Sequence, residues 1–217
     1  MTFRILLLSL LTLVFAAQGL ISVANAHPHV WVTMKSEVIY APDGTVTGIR
    51  HAWSFDDMFS TFATQGLESK EKGKFTREEL APLAKVNVES LKEYDYFTYA
   101  TADGVKVPMS DPLPDFWLDF KDQILTLNFT LPLKTPVKAK KFSVDIYDPT
   151  IFVDFSFDKA TPAHLVDPPA GCKLQVALPR EMTFAEGKKL SEIPADQQNT
   201  AMAIGSEFAN KILVNCP

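Results

Sequence analysis

The stretch from Val30 to Phe55 constrains this chain most, because it has the pattern of a β-hairpin. Val30 to Tyr40 is rich in Val, Ile, Trp and Tyr, the residues that fit a pleated, half-buried surface. Pro42-Asp43-Gly44 follows. Pro presets φ and Gly accepts a positive φ, so this tripeptide turns the chain. Val46 to Phe55 then returns as a second strand. If Tyr40 faces Val46, the register places Phe55 opposite Trp31, His51 opposite Lys35 and Asp57 opposite His29.

After Phe55 the period changes. Phe55, Met58, Phe59 and Phe62 stand at i, i+3, i+4 and i+7, the spacing of one helix face turned inward. Gly66 ends that helix. Thr76-Arg77-Glu78-Glu79 is a capping box, in which the Thr and the Glu three residues on satisfy each other's backbone N–H groups. It predicts a helix to about Tyr94 with Leu80, Leu83, Leu91 and either Val86 or Ala84 inward. From Tyr96 the chain is mostly β. Phe97–Ala100 and Val105–Met109 form one hairpin, and Phe116–Phe120 and Ile124–Leu131 another. Phe142–Tyr147 and Ile151–Phe157 are read as a third, turning at Asp148-Pro149. Lys173–Leu178 and Ile212–Asn215 are short strands, and a short helix is expected around 195–204. The expected class is α+β: mostly antiparallel β, a sandwich or curved sheet, with two helices inserted after the first hairpin.

The first 26 residues read as a cleaved signal peptide. Arg4 is the only charge, Ile5 to Ala17 is apolar apart from Ser9 and Thr12, and Ala24-Asn25-Ala26 is an A-x-A cleavage site. The apolar run is shorter than the roughly 20 residues of a membrane span. The expectation is a soluble extracytoplasmic protein, a single domain over 27–217 that begins His27-Pro28-His29. Losing Arg4 moves the formal charge from −5 to −6, which argues against nucleic acid as a partner. Cys172 and Cys216 are the two cysteines. An even count in an exported chain favours one disulfide, closing a loop of about 44 residues.

No Gly-rich phosphate loop, GxSxG, HExxH or Cys-His pairing occurs, so an ordinary hydrolase or transferase is disfavoured and the chain is read as non-enzymatic. The chemistry lies at the new N-terminus. Cleavage exposes the His27 α-amine, whose proton a metal displaces near neutral pH. With its own imidazole and that of His29 it offers three nitrogen donors, a set suited to Zn, Ni, Co and Cu. Pro28 has no N–H, which rules out the square-planar clip that needs deprotonated amides. The register makes Asp57 the third ligand, with Asp56 the alternative for a one-residue slip. His51 shares the face but lies about 20 Å away along the strand. Plainer readings stand beside these. The two N-terminal histidines are a frayed end, Asp56 is a helix cap, His51 is a satisfied strand histidine, and His164 is surface.

Four segments resemble a known family: His27-Pro28-His29-Val30-Trp31-Val32, then Gly48-Ile49-Arg50-His51-Ala52-Trp53-Ser54-Phe55-Asp56-Asp57-Met58-Phe59-Ser60, then Leu80 to Tyr99, and Tyr147-Asp148-Pro149-Thr150. They are similar to bacterial periplasmic proteins of domain-of-unknown-function family 1007. Members are often described as periplasmic components of an ABC-type transport system and accompany NicO-type nickel/cobalt permeases. The resemblance implies a periplasmic accessory of divalent transition-metal transport, with an inner-membrane metal permease or ABC-type transporter as partner. Two rivals remain. One is a copper histidine brace with oxidative activity, built on His27 and a remote His51. The other is a metal-free interaction module.

Overall fold

The computed structural model describes residues 29–193 and 204–217. The signal segment, His27 and nearly all of the helix expected at 195–204 lie outside them. Two strands open the fold, β1 (Val30–Tyr40) and β2 (Val46–Phe55), joined antiparallel as the turn chemistry predicts. Asp43 closes the turn by accepting from the Thr45 N–H at 3.0 Å and the Thr45 hydroxyl at 2.8 Å, while Gly44 takes φ +81°.

The predicted register is corrected. Tyr40 does face Val46, but Ile39 then faces Gly48, and Thr47 is left over as a bulge. Every later pair moves by one residue: Ser36 faces His51 and Val32 faces Phe55. The bulge has a physical anchor. The Thr47 hydroxyl donates to the Ile39 carbonyl at 3.2 Å. A Cβ on Gly48 would stand 2.6 Å from the Leu131 carbonyl oxygen of the next strand, so this position accepts only glycine.

Two helices follow. α1 (Asp57–Thr64) buries Ser60 and packs Phe59 and Ala63 on the core. Met58 and Phe62 are left 62% and 75% exposed. The expected Phe55-Met58-Phe59-Phe62 face is therefore rotated, because the Ser60 hydroxyl turns inward to accept from the Leu125 N–H at 3.0 Å. α2 (Arg77–Leu91) carries both halves of the predicted capping box. Leu80, Ala84 and Val88 are buried and Val86 is outside. A 3-10 segment, Lys92–Phe97, carries the chain into the second sheet through three left-handed residues, Asp95, Tyr96 and Phe97.

Among the described residues the remaining elements are strands, apart from α3 (Phe184–Ser191) and a short 3-10 turn, Ser206–Phe208. The strands are β3 (Thr98–Ala102), β4 (Val105–Val107), β5 (Trp117–Lys121), β6 (Ile124–Val137), β7 (Lys141–Ile146), β8 (Val153–Phe157), β9 (Ala163–Val166), β10 (Lys173–Ala177) and β11 (Asn210–Asn215). They build two sheets, ordered β5-β6-β2-β1-β8 with β9 also on β1, and β10-β11-β7-β3-β4. This is the α+β, mostly antiparallel architecture that the sequence predicts.

The third hairpin does not exist. β7 belongs to the second sheet and β8 to the first, where β8 runs parallel to β1, with Val30 facing Val153. The chain switches sheets at Asp148-Pro149. Inward residues of both sheets fill the space between them. Val32, Met34, Ile49, Trp53, Leu127 and Phe129 meet Ala100, Phe142, Val144, Ile146 and Ile212, as expected for a sandwich. Cys172 and Cys216 form the predicted disulfide, Cα to Cα 4.1 Å, one residue beyond the Lys173–Asn215 rung of β10 and β11. A disulfide fits an oxidising compartment. Among the described residues no helix is long and apolar enough to cross a membrane.

Candidate functional site

Because β1 and β8 run parallel, the start of β1 and the loop before β8 meet at one end of the first sheet. Asp148 shapes that loop. One carboxylate oxygen accepts from the Thr150 N–H at 2.7 Å and its hydroxyl at 2.8 Å. The other accepts from the N–H groups of Phe152 at 3.0 Å and Val153 at 2.9 Å. A buried carboxylate with this many donors is satisfied. The loop in turn seats His29. Its N–H donates to the Phe152 carbonyl at 2.9 Å, and its imidazole packs on the Phe152 ring at 4.8 Å between centroids. His29 stays exposed there.

Across the hairpin, Trp31 and Asp56 form the last rung. The Asp56 N–H donates to the Trp31 carbonyl at 2.9 Å, and one Asp56 carboxylate oxygen accepts from the Trp31 N–H at 2.9 Å. The other accepts from the Phe59 N–H at 2.8 Å, which makes Asp56 the N-cap of α1. Its plain reading as a helix cap is realised, and both oxygens are engaged. Asp57 follows in the first turn, exposed, accepting from the Met58 N–H at 2.9 Å. The shifted register removes the direct His29–Asp57 pairing, since Asp56 takes the place opposite Trp31. His29 and Asp57 nonetheless flank the same rung, at the same end of the hairpin.

His51 is elsewhere. It is 1% exposed on the inward face of β2. Its Nδ1 lies 2.9 Å from the Ser36 hydroxyl and its Nε2 3.3 Å from the Thr98 hydroxyl of the opposite sheet. Its ring packs against Trp53 and Phe129. Burial pushes its pKa down to about 3 and keeps the imidazole neutral. It stands opposite Ser36 in the middle of β1, away from the end of the strand that carries His29. His164 is at the surface as read, 3.0 Å from Glu37. Among the described residues no group of three or more His, Cys, Asp or Glu side chains is placed to hold a metal. The donors that His27 contributes lie outside those residues.

The family described as "Protein of unknown function (DUF1007)" matches residues 11–216. The chain belongs to this family. A DUF1007 relative is an uncharacterised protein of Haemophilus influenzae, 25% identical over 205 residues, covering 88% of this chain and 91% of that one. A shorter relative is an uncharacterised 15.5 kDa protein of Spirochaeta aurantia, 35% identical over 94 residues, covering 43% of this chain and 66% of its own length. For this DUF1007 chain, sequence reasoning missed Asp148 and Phe152, which position His29. The Asp-Pro-Thr signature of an Asx turn was visible at 148–150. The parallel pairing of β8 with β1 was not.

Proposed function

We propose that the protein is a periplasmic, non-enzymatic accessory of divalent transition-metal transport. It takes Zn, Ni or Co as cargo at its processed N-terminus and serves an inner-membrane metal permease. The observation that carries this reading is the seat of His29. Its main chain is hydrogen-bonded to Phe152 and its imidazole is held at the exposed end of β1. Cleavage after Ala26 would put the His27 amine and imidazole two residues away. An anchored imidazole next to an amine–imidazole chelate loses less entropy on ligation than two frayed histidines. Asp57, one residue past the Trp31–Asp56 rung at the same end of the hairpin, is the carboxylate of the set. His51 and Asp56 act in the fold.

The resemblance to proteins that accompany nickel/cobalt permeases supports the partner. The exposed Met58 and Phe62 beside Asp57 form an apolar strip against which that partner would dock. Titration calorimetry with Zn, Ni and Co on natively processed protein, and on protein carrying one extra residue before His27, tests the reading. The native form binds, and the extended form binds far more weakly.

A further inference from the structure

Another carboxylate stands on the face of the first sheet that His29 shares. Alternation along β1 turns Val30 and Val32 inward, 8% and 1% exposed, and leaves Trp31 44% exposed on the outer face. His29, exposed and two residues before Trp31, falls on that outer face. On β8 the alternation is the same: Phe155 and Phe157 are buried, whereas Asp154 and Ser156 are exposed. The parallel register sets Asp154 beside Trp31. Phe152, two residues before Asp154, carries the imidazole of His29. Asp154 is therefore the diagonal neighbour of His29. Adjacent strands lie about 4.8 Å apart and two residues span about 6.6 Å, so the two Cα atoms stand about 8 Å apart by this geometry. One cation at about 2.0–2.2 Å from a nitrogen and an oxygen donor bridges such a span.

The fold makes no use of this carboxylate. Asp56 holds the Trp31 and Phe59 N–H groups, Asp57 holds the Met58 N–H, and Asp148 holds four donors. Around Asp154, neither a hydrogen-bond donor nor a cation among the described residues offsets the desolvation that raises its pKa. We propose that Asp154 is a second carboxylate ligand of the metal at the processed N-terminus, so that the ion is held across the start of β1 by groups from β8 and from the far end of the hairpin. This inference rests on the N-terminal metal reading and adds one ligand to its set. The His27 amine and the two imidazoles bind as neutral donors. With Asp57 as the sole anion, a divalent ion keeps one net positive charge, and Asp154 cancels it. A carboxylate that is partly desolvated and otherwise unpaired gains more from a nearby cation than one already engaged by N–H groups.

The test is titration of Co and Ni into three natively processed proteins: unaltered, Asp154→Asn and Ser156→Ala. Affinity is read by calorimetry, and the ligand field by the visible absorption of the cobalt-saturated forms. Asp154→Asn keeps the shape of the side chain and removes its charge. It should weaken binding about ten- to hundredfold and shift the cobalt spectrum at saturation. Its urea midpoint should stay native, because no partner is lost. Ser156→Ala, at the next outward position of β8, should leave both readouts unchanged. Asp154→Ser repeats the test with a shorter side chain and should give the same loss. Native affinity in Asp154→Asn overturns the proposal and leaves the N-terminal reading standing. So does weaker binding with an unchanged cobalt spectrum, which marks a charge acting at a distance rather than a ligand. Absence of binding to the unaltered protein overturns the N-terminal reading and this inference with it.

Discussion

Ser36 and His51 face each other across the first hairpin, hydroxyl to Nδ1 at 2.9 Å, and Thr98 reaches the other ring nitrogen from the opposite sheet. The imidazole is thus a polar pin between two apolar layers, and it must stay neutral there. Its pKa is about 3 in the folded protein against 6.5 for an ordinary histidine. Between those values the unfolded chain binds a proton that the native state does not. Stability from this group is therefore complete above pH 6.5 and is lost as pH falls towards 3, by about 1.4 kcal/mol per pH unit. Urea denaturation from pH 7 to 4 should show this slope, and His51→Phe should flatten it. An unchanged slope in the variant would contradict the assignment.

Asp56 joins two elements, holding the Trp31 N–H and capping α1 at Phe59. Asp56→Ala is expected to cost about 1–2 kcal/mol. Asp57→Ala, at an exposed position, should stay within about 0.5 kcal/mol and weaken metal binding instead. Paired chemical denaturation and metal titration separate the two roles. The reverse pattern would make Asp56 the ligand and Asp57 the structural residue.

Gly48 sits where the bulge at Thr47 brings β2 against β6. Gly48→Ala drives a Cβ to 2.6 Å from the Leu131 carbonyl oxygen, a backbone atom that cannot swing away. The expected cost is about 1–3 kcal/mol, read as a lower urea midpoint. A neutral result would show that the two strands can separate locally.

The Cys172–Cys216 bridge closes a 44-residue separation at the end of β10 and β11. Reduction should lower stability by about 3–4 kcal/mol. It should also release protection of the amides of β10 and β11 first in hydrogen exchange. Uniform loss of protection across both sheets would contradict a local clip.

Much of the fold was legible because its signals are local. The Pro42-Asp43-Gly44 turn, the Thr76–Glu79 capping box and the alternation of β1 each depend on residues within one turn or strand of one another. What was not legible is non-local. The bulge at Thr47 depends on how closely β6 passes Gly48, and one unpaired residue moved Asp57 off His29. The pairing of β8 with β1 joins segments more than a hundred residues apart, so Asp148 read as the turn of a local hairpin. The α1 face rotated because Ser60 supplies an acceptor to Leu125 N–H, a partner that a hydrophobic period does not contain. Asp56 shows a different limit: sequence spacing placed it at the site, and only the geometry distinguishes a cap from a ligand.

The central claim is that the processed N-terminus takes the metal, with the His27 amine and the His29 imidazole acting together. The direct measurement is calorimetric titration of Zn, Ni and Co at pH 8 and pH 6 into three proteins: natively processed, extended by one residue before His27, and His29→Ala. Both changes should weaken binding sharply, and His164→Ala should not. Affinity of the native form should fall from pH 8 to pH 6, because metal displaces protons from an amine that titrates near 7.7–8.0 and from imidazoles near 6.5. Equal affinity of the native and extended proteins, or no binding to either, would contradict the claim.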